Sequence, residues 1–275
     1  MRSGTPLNRH RSTLRTVLVS LLLAAALLPK IGAVAQESTP VPAGTPAPAR
    51  SCGERLGIGD ASVACLTVVH ASSDAGPVDI SIDGAVLFSG VAFGSSTGFV
   101  ALPAGTYDVV VTASSQPSAV LIESPGQQLS EGQGVEVAIA GSRDGATLAA
   151  LTLPVDPATP APGTASLRVV QAIPDAPPID IGLTTGETLI PGLVPLTASG
   201  YLTIPATAAS IEVRAAGSPD ALFPVPDFTA ADRATLTVYA LGSVTNPTGI
   251  ILLTVLVPGG EGQSAGTLVM ATPAA

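Results

Sequence analysis

Residues 66–80, LTVVHASSDAGPVDI, decide the fold because the chain repeats them 101 positions later, as LRVVQAIPDAPPIDI in residues 167–181. The two stretches share a Val-Val pair, an aspartate followed by Ala, a proline and a second aspartate. A second block keeps nearly the same spacing, since FVALPAGTYDVVV from Phe99 matches YLTIPATAASIEV from Tyr201. A third short block, near the end of each copy, recurs at the same spacing. Blocks that recur at one offset indicate an internal repeat.

Each copy of the repeat is predicted to be all-β. Short segments rich in Val, Ile and Leu are separated by turn residues such as Asp83-Gly84, Ser124-Pro125-Gly126 and Asp144-Gly145. The candidate strands of the first copy are 64–71, 78–82, 86–88, 97–102, 107–112, 119–123, 135–140 and 147–153. Seven or eight short strands in about 90 residues predict two tandem immunoglobulin-like, Greek-key β-sandwiches. The chain has no tryptophan, so each core must be aliphatic.

Composition divides the rest of the chain. A basic region with Arg9 and Arg15, an uncharged apolar run to Leu28 and an Ala-Val-Ala site at 33–35 predict a bacterial signal peptide. The predicted segments are a signal peptide (1–35), a Pro/Thr/Ala-rich stalk (36–50), a first sandwich (51–156), a linker (157–165), a second sandwich (166–258) and a disordered tail (259–275). The stalk, linker and tail have few large apolar side chains to bury.

Charge narrows the classes of partner. Removal of residues 1–35 leaves six arginines, no lysine and 20 acidic residues, a formal charge of −14. Such a surface repels nucleic acid and anionic lipid. We therefore expect a secreted protein, extracellular or at the cell surface, with no nucleic-acid partner and no membrane insertion after signal cleavage. No cofactor is expected, and the expected partner is an unknown extracellular protein or glycan.

The repeated motifs carry a family resemblance. HASSDAGPVDISIDG in residues 70–84, followed by LPAGTYDVVV in residues 102–111, resembles the secreted bacterial domain of unknown function 4397. That family's pattern runs roughly HASPDAPxVDVxxDG and then LPAGTY. The second copy departs from it, because Gln171 replaces the histidine and IPATAAS stands in place of LPAGTY. The resemblance covers both repeats and implies no activity.

Two polar motifs bear on catalysis. Residues 94–98, GSSTG, match the G-x-S-x-G of a hydrolase nucleophile elbow, which needs a strand before it and a helix after it. Strand and turn are predicted to follow Ser96, so a secreted serine hydrolase using Ser96 is the weaker alternative and an enzyme is not expected. His70 is replaced by Gln171 in the second copy, and glutamine cannot transfer a proton near neutral pH. Both side chains are predicted to satisfy buried backbone groups.

Five aspartates lie in the two copies of the repeated motif. Asp74, Asp79 and Asp83 lie near one turn and begin like a calcium loop, but the twelfth position, which needs a glutamate, is a glycine. Asp175 and Asp180 repeat the first two in the second copy. Aspartates at turns commonly bond nearby backbone. We therefore predict a structural role for the aspartates and no metal site, with calcium at the first three as the alternative.

Cys52 and Cys65 are the only cysteines of the chain, and both lie in the part predicted to be exported. Two cysteines in an oxidising compartment most often pair. An intramolecular disulfide is therefore predicted, with an intermolecular bridge and a redox pair as alternatives. It would staple the segment CGERLGIGDASVAC, which has no counterpart before Leu167, to the edge of the first repeat.

These features together predict a non-catalytic secreted or cell-surface structural or interaction module. The first alternative is a carbohydrate- or protein-binding adhesin with its ligand at the loop ends of the sandwiches. An aromatic platform would favour a glycan ligand, but the chain has only three tyrosines and five phenylalanines.

Overall fold

A computed structural model describes residues 50–155, 158–245, 250–259 and 263–271 of the protein. The predicted signal peptide and the predicted stalk up to residue 49 lie outside the described residues. Within the described ranges, no helix is long and apolar enough to cross a membrane.

The first repeat folds into two sheets of mostly antiparallel strands, preceded by a short helix. Its elements are α1 (Cys52–Leu56), β1 (Val63–His70), β2 (Val78–Ile82), β3 (Ala85–Val91), β4 (Ser95–Ser96), β5 (Val100–Pro103), β6 (Gly105–Ala113), β7 (Gln116–Leu129), β8 (Gly134–Ala140) and β9 (Ala149–Pro154). The larger sheet has the order β4-β1-β8-β9, and β5 also pairs with β1. The smaller sheet has the order β3-β2-β6-β7.

The second repeat has the same plan. Its strands are β10 (Thr164–Gln171), β11 (Ile179–Leu183), β12 (Thr188–Leu193), β13 (Thr197–Ala198), β14 (Leu202–Pro205), β15 (Ala208–Ala215), β16 (Ala221–Thr229), β17 (Thr235–Leu241), β18 (Ile251–Val257) and β19 (Gly266–Ala271). The larger sheet runs β13-β10-β17-β18-β19 with β14 on β10, and the smaller sheet runs β12-β11-β15-β16. The prediction of two all-β sandwich repeats is confirmed.

The central strands of the larger sheets are buried on both faces. β1 pairs in parallel with β8, and β10 pairs in parallel with β17. All but the first residue of β1 and of β10 are buried. A strand covered on both sides needs a near-continuous apolar sequence. This explains why the repeated LTVV and LRVV runs lack the polar alternation of a half-exposed strand.

One face of each larger sheet packs on the smaller sheet of its own repeat. Val68 and Ile139 of the first repeat pack against Val78, Ile80 and Val111 of its smaller sheet. Leu167, Ile179, Ile181, Val213 and Leu236 do the same in the second repeat. Both cores are predominantly aliphatic. Each repeat therefore contains a sandwich core of its own.

The other face of each larger sheet is buried between the two repeats. Val69 and Ala138 of the first repeat share a buried cluster with Val170, Leu241 and Leu253 of the second. Burying an aliphatic side chain of this size stabilises a fold by about 1.5–3 kcal/mol. The two repeats accordingly fall within one compact unit. We call this shared core, together with the polar groups at its rim, the repeat junction.

The two repeats close the outer edges of their larger sheets differently. In the second repeat, β19 pairs antiparallel with β18, so the segment predicted as a disordered tail contains a strand. In the first repeat, β9 has no added strand within the described residues. Pro154 lacks a backbone N–H, and its carbonyl accepts a hydrogen bond from Arg168 Nη1 at 2.7 Å. Proline and a charged side chain both discourage further pairing at a sheet edge.

One predicted turn lies inside a strand. β7 continues through Ser124-Pro125-Gly126 and pairs with β6, with an irregularity between Tyr107 and Val109. Gly126 has a φ of +69°, and its N–H donates to Asp108 Oδ1 at 2.8 Å. Pro and Gly therefore mark a β-bulge here, where the extra residue is accommodated without ending the strand.

Candidate functional site

Asp74 holds a loop at one end of the first sandwich. Its carboxylate accepts hydrogen bonds from Ser72 Oγ at 2.9 Å and Ser142 Oγ at 2.6 Å. It also accepts from the backbone N–H groups of Arg143 at 2.9 Å and Asp144 at 3.1 Å. Burial alone would raise the pKa of Asp74, but these bonds outweigh it and hold the pKa well below its ordinary value. The carboxylate thus ties the start of the motif to the β8–β9 loop.

Asp175 repeats this arrangement in the second sandwich. Its carboxylate accepts from Ser243 Oγ at 2.5 Å, from the N–H of Val244 at 3.1 Å and from Thr245 N at 3.3 Å. Thr245 Oγ1 adds a bond of 3.1 Å. Burial opposes the charge here as well, and the hydrogen bonds lower the pKa of Asp175. The same side chain therefore performs the same task on the β17–β18 loop.

Asp79 and Asp180 each join two neighbouring turns. Asp79 Oδ1 accepts from Gly90 N at 2.8 Å and from Ser114 Oγ at 2.6 Å. Asp180 accepts from Gly192 N at 2.6 Å and, through its other oxygen, from the N–H of Gly217 at 3.1 Å. Gly90 and Gly192 both have a positive φ, so the bulged strands β3 and β12 need glycine there. Each aspartate fixes such a bulge.

Asp83 lies apart from the other two calcium candidates. It occupies the β2–β3 turn with a φ of +49°, and its Oδ1 accepts from Asp108 N at 2.9 Å. Asp74 and Asp79 are each engaged by separate sets of donors, described above. Among the residues that the structure describes, no group of three or more His, Cys, Asp or Glu side chains could hold a metal ion.

We expect Asp74→Asn to destabilise the protein at neutral pH and to flatten its acid sensitivity. A carboxyl whose folded pKa lies below its unfolded value stabilises the fold above about pH 4 and loses that contribution as pH falls. The thermal midpoint at pH 7 should drop by about 2–4 °C, as for a loss of roughly 1 kcal/mol. Calorimetry between pH 7 and pH 2 checks this, with the exposed Glu131→Gln as control. An unchanged pH profile would contradict the loop-holding role.

His70 and Gln171 are both fully buried at the ends of the first strands of their repeats. His70 Nε2 lies 2.7 Å from the carbonyl oxygen of Gly76, and Nδ1 accepts from Ser72 N at 3.4 Å. The carbonyl can only accept, so Nε2 carries the proton and the ring is neutral. Burial lowers the pKa of His70. Gln171 Oε1 accepts from Ile173 N at 3.3 Å, in the same place as Nδ1.

The LPAGTY segment closes the β5–β6 turn. Tyr107 donates its hydroxyl proton to the carbonyl oxygen of Pro103 at 2.7 Å. Ala209 stands at the corresponding position of the second repeat, 102 residues later, and cannot make this bond. In the second repeat, the N–H of Ala206 in this turn donates instead to the carbonyl oxygen of Gly163 at 2.9 Å.

Ser96 does not sit on a nucleophile elbow. It lies in β4, pairs with Val69 of β1, and is followed by strand β5 and not by a helix. The side chain of His70, in the adjacent position of β1, is already bonded to backbone on both ring nitrogens. The strand–turn–helix context that exposes a nucleophilic serine is thus missing at this motif.

The disulfide prediction is confirmed, because Cys52 is bonded to Cys65. The bond attaches α1 to the first strand of the first repeat. Ser51 caps α1 by accepting from Glu54 N, and Glu54 bonds back to Ser51 N, which forms a capping box. Gly57 ends the helix with a φ of +68°. The segment unique to the first repeat is therefore an ordered, stapled element.

This stapled segment reaches the second repeat through Arg55. The side chain is buried, with Nη2 2.9 Å from Thr235 Oγ1 and Nε 3.3 Å from the carbonyl oxygen of Pro258. The guanidinium can only donate, so the Thr235 hydroxyl oxygen and the Pro258 carbonyl oxygen accept its hydrogen bonds. We call α1 with Arg55 the N-terminal clasp. It links the first β-strand of one repeat to the ends of β17 and β18 in the other.

A buried polar cluster crosses the repeat junction. Glu136 of β8 lies 3.3 Å from Arg168 Nη2 of β10, and both side chains are almost fully buried. Tyr239 donates its hydroxyl proton to Glu136 Oε2 at 2.5 Å, and Thr237 donates to Oε1 at 3.0 Å. Arg168 also stacks over the ring of Tyr201, with the guanidinium carbon 4.6 Å from the ring centroid. We call Glu136, Arg168, Thr237 and Tyr239 the junction cluster.

Burial dominates the electrostatics of the junction cluster. It raises the pKa of Glu136, although the charge of Arg168 and the hydrogen bonds from Tyr239 and Thr237 act in the opposite direction. Burial also raises the pKa of Tyr239 well above its ordinary value, with the neighbouring Glu136 carboxylate adding to the effect. The tyrosine therefore stays protonated and acts as a donor. The cluster is a packed set of partners with no free group facing solvent.

A protein-family model for a domain of unknown function, DUF4397, matches residues 64–182 and 165–275. The chain belongs to the DUF4397 family. The two overlapping matches correspond to the two repeats. No curated protein matches the chain at a significant level.

Three cavities lie in the described part of this DUF4397 protein, one in each sandwich and one at the repeat junction. One of about 30 Å³ lies inside each sandwich and has mainly aliphatic walls. A crevice of about 250 Å³ lies at the junction between α1, β4 and β19. Its walls include Leu56, Ser96, Phe99 and Val255, and none of its lining residues is charged. Tyr107 lines the cavity of the first sandwich, and its hydroxyl is bonded to the Pro103 carbonyl.

The junction cluster and the N-terminal clasp were not among the predicted sites. The sequence signal of the junction cluster is a single charge inside an otherwise apolar strand: Glu136 in GVEVAIA and Arg168 in TASLRVVQ. A charge in such a place must find a buried partner. Because the two strands belong to different repeats, the signal becomes readable only if the repeats are assumed to pack together.

Proposed function

We propose that this DUF4397 protein is a non-catalytic module that acts outside the cell, in which two sandwiches form one stiff body that presents surfaces to a partner. The observation that carries the proposal is the use of the repeated polar residues. In both copies, the aspartates of the motif accept hydrogen bonds from loops and turns. His70 is bonded through both ring nitrogens, and Gln171 is buried and bonded through Oε1. Groups engaged in this way stabilise the fold and are not free to act on a substrate.

The repeat junction supports the rigid part of this proposal. Independent domains joined by a linker usually meet over a modest, polar interface. Here the repeats share an aliphatic core, the junction cluster and the N-terminal clasp. A body built in this way holds the outer faces of its two small sheets in a fixed relation. That suits a spacer or a scaffold at the cell surface.

Among binding functions, a protein partner is better supported than a glycan. Glycan sites usually offer an exposed aromatic face, and the exposed large apolar residues of the described chain are all aliphatic. They are Ile58, Val86, Leu87, Val120, Val194 and Leu222. Tyr107 is bonded through its hydroxyl, Tyr239 is buried, and Tyr201 lies under Arg168. Protein-binding adhesion is therefore the second candidate.

Two measurements on material expressed in a bacterial host test the proposal. Mass spectrometry of the culture medium should find a mature chain that begins at Gln36, as the Ala-Val-Ala site predicts. A fluorophosphonate probe should label wild-type protein no more than Ser96→Ala. Retention of residues 1–35 on a membrane-bound chain would defeat the extracellular assignment. Labelling that depends on Ser96 would defeat the non-catalytic assignment.

A further inference from the structure

The outer faces of the two small sheets can be compared position by position. Ser81 pairs with Val110 on β6 and with Val86 on β3. In the second repeat, Gly182 pairs in the same way with Glu212 on β15 and Thr188 on β12. Likewise Asp79 faces Thr112, whereas Asp180 faces Arg214. Residues opposite each other in a sheet share a face. The faces are therefore equivalent, with different side chains.

In the second repeat, the chain covers this face with its own arginine. Arg214 is buried, lies 3.5 Å from Glu212 Oε1 through Nε, and donates from Nη2 to Thr188 Oγ1 at 3.1 Å. Its guanidinium lies so close over Gly182 that any side chain at that position would collide with it. The glycine makes room for the arginine. This face is thus internally paired and polar.

In the first repeat, the positions that correspond to Glu212 and Arg214 are uncharged and half-buried. Val110 and Thr112 replace Glu212 and Arg214, so the long side chain that closes the second face is missing. Val86, which replaces Thr188, is 62% exposed, and Val120 on β7 is 49% exposed. A contiguous patch of exposed apolar side chains often marks a site of protein–protein contact. We call Ser81, Val86, Val110, Thr112 and Val120 the valine face.

Carboxylates surround the valine face. Asp79 and Asp83 on the β2 side, Asp108 on β6 and Glu123 on β7 lie on the same side of the sheet. Hydrogen bonds from Ser114 and Gly90 lower the pKa of Asp79, so it remains negative in mildly acidic conditions. The chain has no lysine or arginine between Leu56 and Ser142. The face therefore combines three valines with Ser81 and Thr112, and the charged side chains named beside it are all negative.

We propose that the valine face docks a cationic polypeptide that presents aliphatic side chains flanked by lysine or arginine. The inference rests on the proposed function and names the partner's chemistry. Apolar centres with polar rims are the general plan of protein interfaces. Opposite charge around the rim guides the partner to the face and fixes its orientation.

Charge complementarity selects this occupant over the other classes. A second copy of the chain would bring one negative rim against another, which costs free energy. Nucleic acid and anionic lipid are repelled for the same reason. A glycan finds no aromatic side chain among the five residues of the valine face. A basic, aliphatic polypeptide is the one class that both the centre and the rim favour.

The test uses the chain from Gln36 to Ala275 and a phage-displayed library of random peptides as the probe. Peptides enriched on the wild type should carry aliphatic residues flanked by Lys or Arg. Their affinity should weaken as NaCl is raised, because exposed charges are screened. It should fall at least about tenfold in the variant that combines Ser81→Gly, Val110→Glu and Thr112→Arg, because interface centres dominate binding. Ser81→Gly is included because the arginine needs the room that Gly182 gives it in the second repeat. That exchange places on the first repeat the ion pair that the second repeat already tolerates.

The matched control is the reverse exchange, Glu212→Val with Arg214→Thr, which leaves the valine face intact and should preserve the affinity. Val86→Thr, the residue found in the second repeat, gives a milder second variant, and circular dichroism verifies that each variant is folded. No enrichment above an unrelated acidic domain would overturn the proposal. So would acidic consensus peptides, or binding that the combined variant leaves unchanged. Mass spectrometry of the culture medium and fluorophosphonate labelling test the proposed function, and their outcomes do not depend on whether the valine face binds a peptide.

Discussion

Glu136→Ala is expected to lower the free energy of unfolding by about 3–5 kcal/mol. The substitution leaves the Arg168 guanidinium almost fully buried without its carboxylate, and it removes the acceptor of the Tyr239 and Thr237 hydroxyls. An uncompensated buried charge is among the most costly defects in a core. Urea unfolding followed by circular dichroism measures the loss. Because the cluster lies between the repeats, small-angle scattering should also report a larger radius of gyration.

Two further variants separate the charge from the packing. Glu136→Gln keeps the shape and an acceptor oxygen, so it should cost less than Glu136→Ala. Glu136→Gln combined with Arg168→Met removes both charges and should also lose less than Glu136→Ala alone, since no charge is left unpaired. A loss below about 1 kcal/mol for Glu136→Ala would match an exposed ion pair. That result would show that the repeats do not bury this cluster in solution.

The sequence could predict those parts of the fold that depend on local pattern. Apolar patterning and turn signals placed most strands of the first repeat within a few residues, and the nearly constant offset identified the repeat. The predicted strand 119–123 runs on to Leu129, and of the predicted strand 97–102 only residues 100–102 form a strand, as part of β5. The continuous apolar run in LTVVH was a further clue, because a strand with no polar face needs cover on both sides. Only one cover, the smaller sheet of the same repeat, was part of the predicted sandwich. The other face of the strand is covered by the other repeat, and no local sequence pattern identifies that repeat as the partner.

Long-range partners account for what the sequence could not predict. Glu136 and Arg168 each read as an isolated charge, and their pairing depends on how two sheets from different repeats face each other. The strand Gly266–Ala271 is short and follows a Gly-rich tract, so composition favoured a tail, yet β18 offers an edge on which it pairs. The aspartates were expected to bond nearby backbone at turns, whereas the partners of Asp74 and Asp175 lie up to 70 residues away. Sequence separation hides such bonds.

Loss of the disulfide should have the second large effect. Replacing Cys52 and Cys65 by Ser, or reducing the bond, is expected to lower the free energy of unfolding by about 3 kcal/mol, because the unfolded chain regains the freedom of a loop of roughly 14 residues. Urea unfolding of oxidised and reduced protein measures the change. Titration of free thiols in denatured, non-reduced protein should find none. Two reactive thiols per chain would contradict the bond.

The same bond should also govern the N-terminal clasp. In oxidised protein, Arg55→Ala leaves Thr235 Oγ1 and the Pro258 carbonyl without their buried donor, which should cost about 1–3 kcal/mol. In reduced protein, α1 is no longer held to β1, so the same substitution should cost much less. Arg50→Ala, at an exposed arginine of the same segment, is the matched control and should change little in either state. Coupled contacts give non-additive losses of stability. If Arg55→Ala lowered the free energy of unfolding equally in oxidised and reduced protein, α1 would hold the second repeat without help from the disulfide.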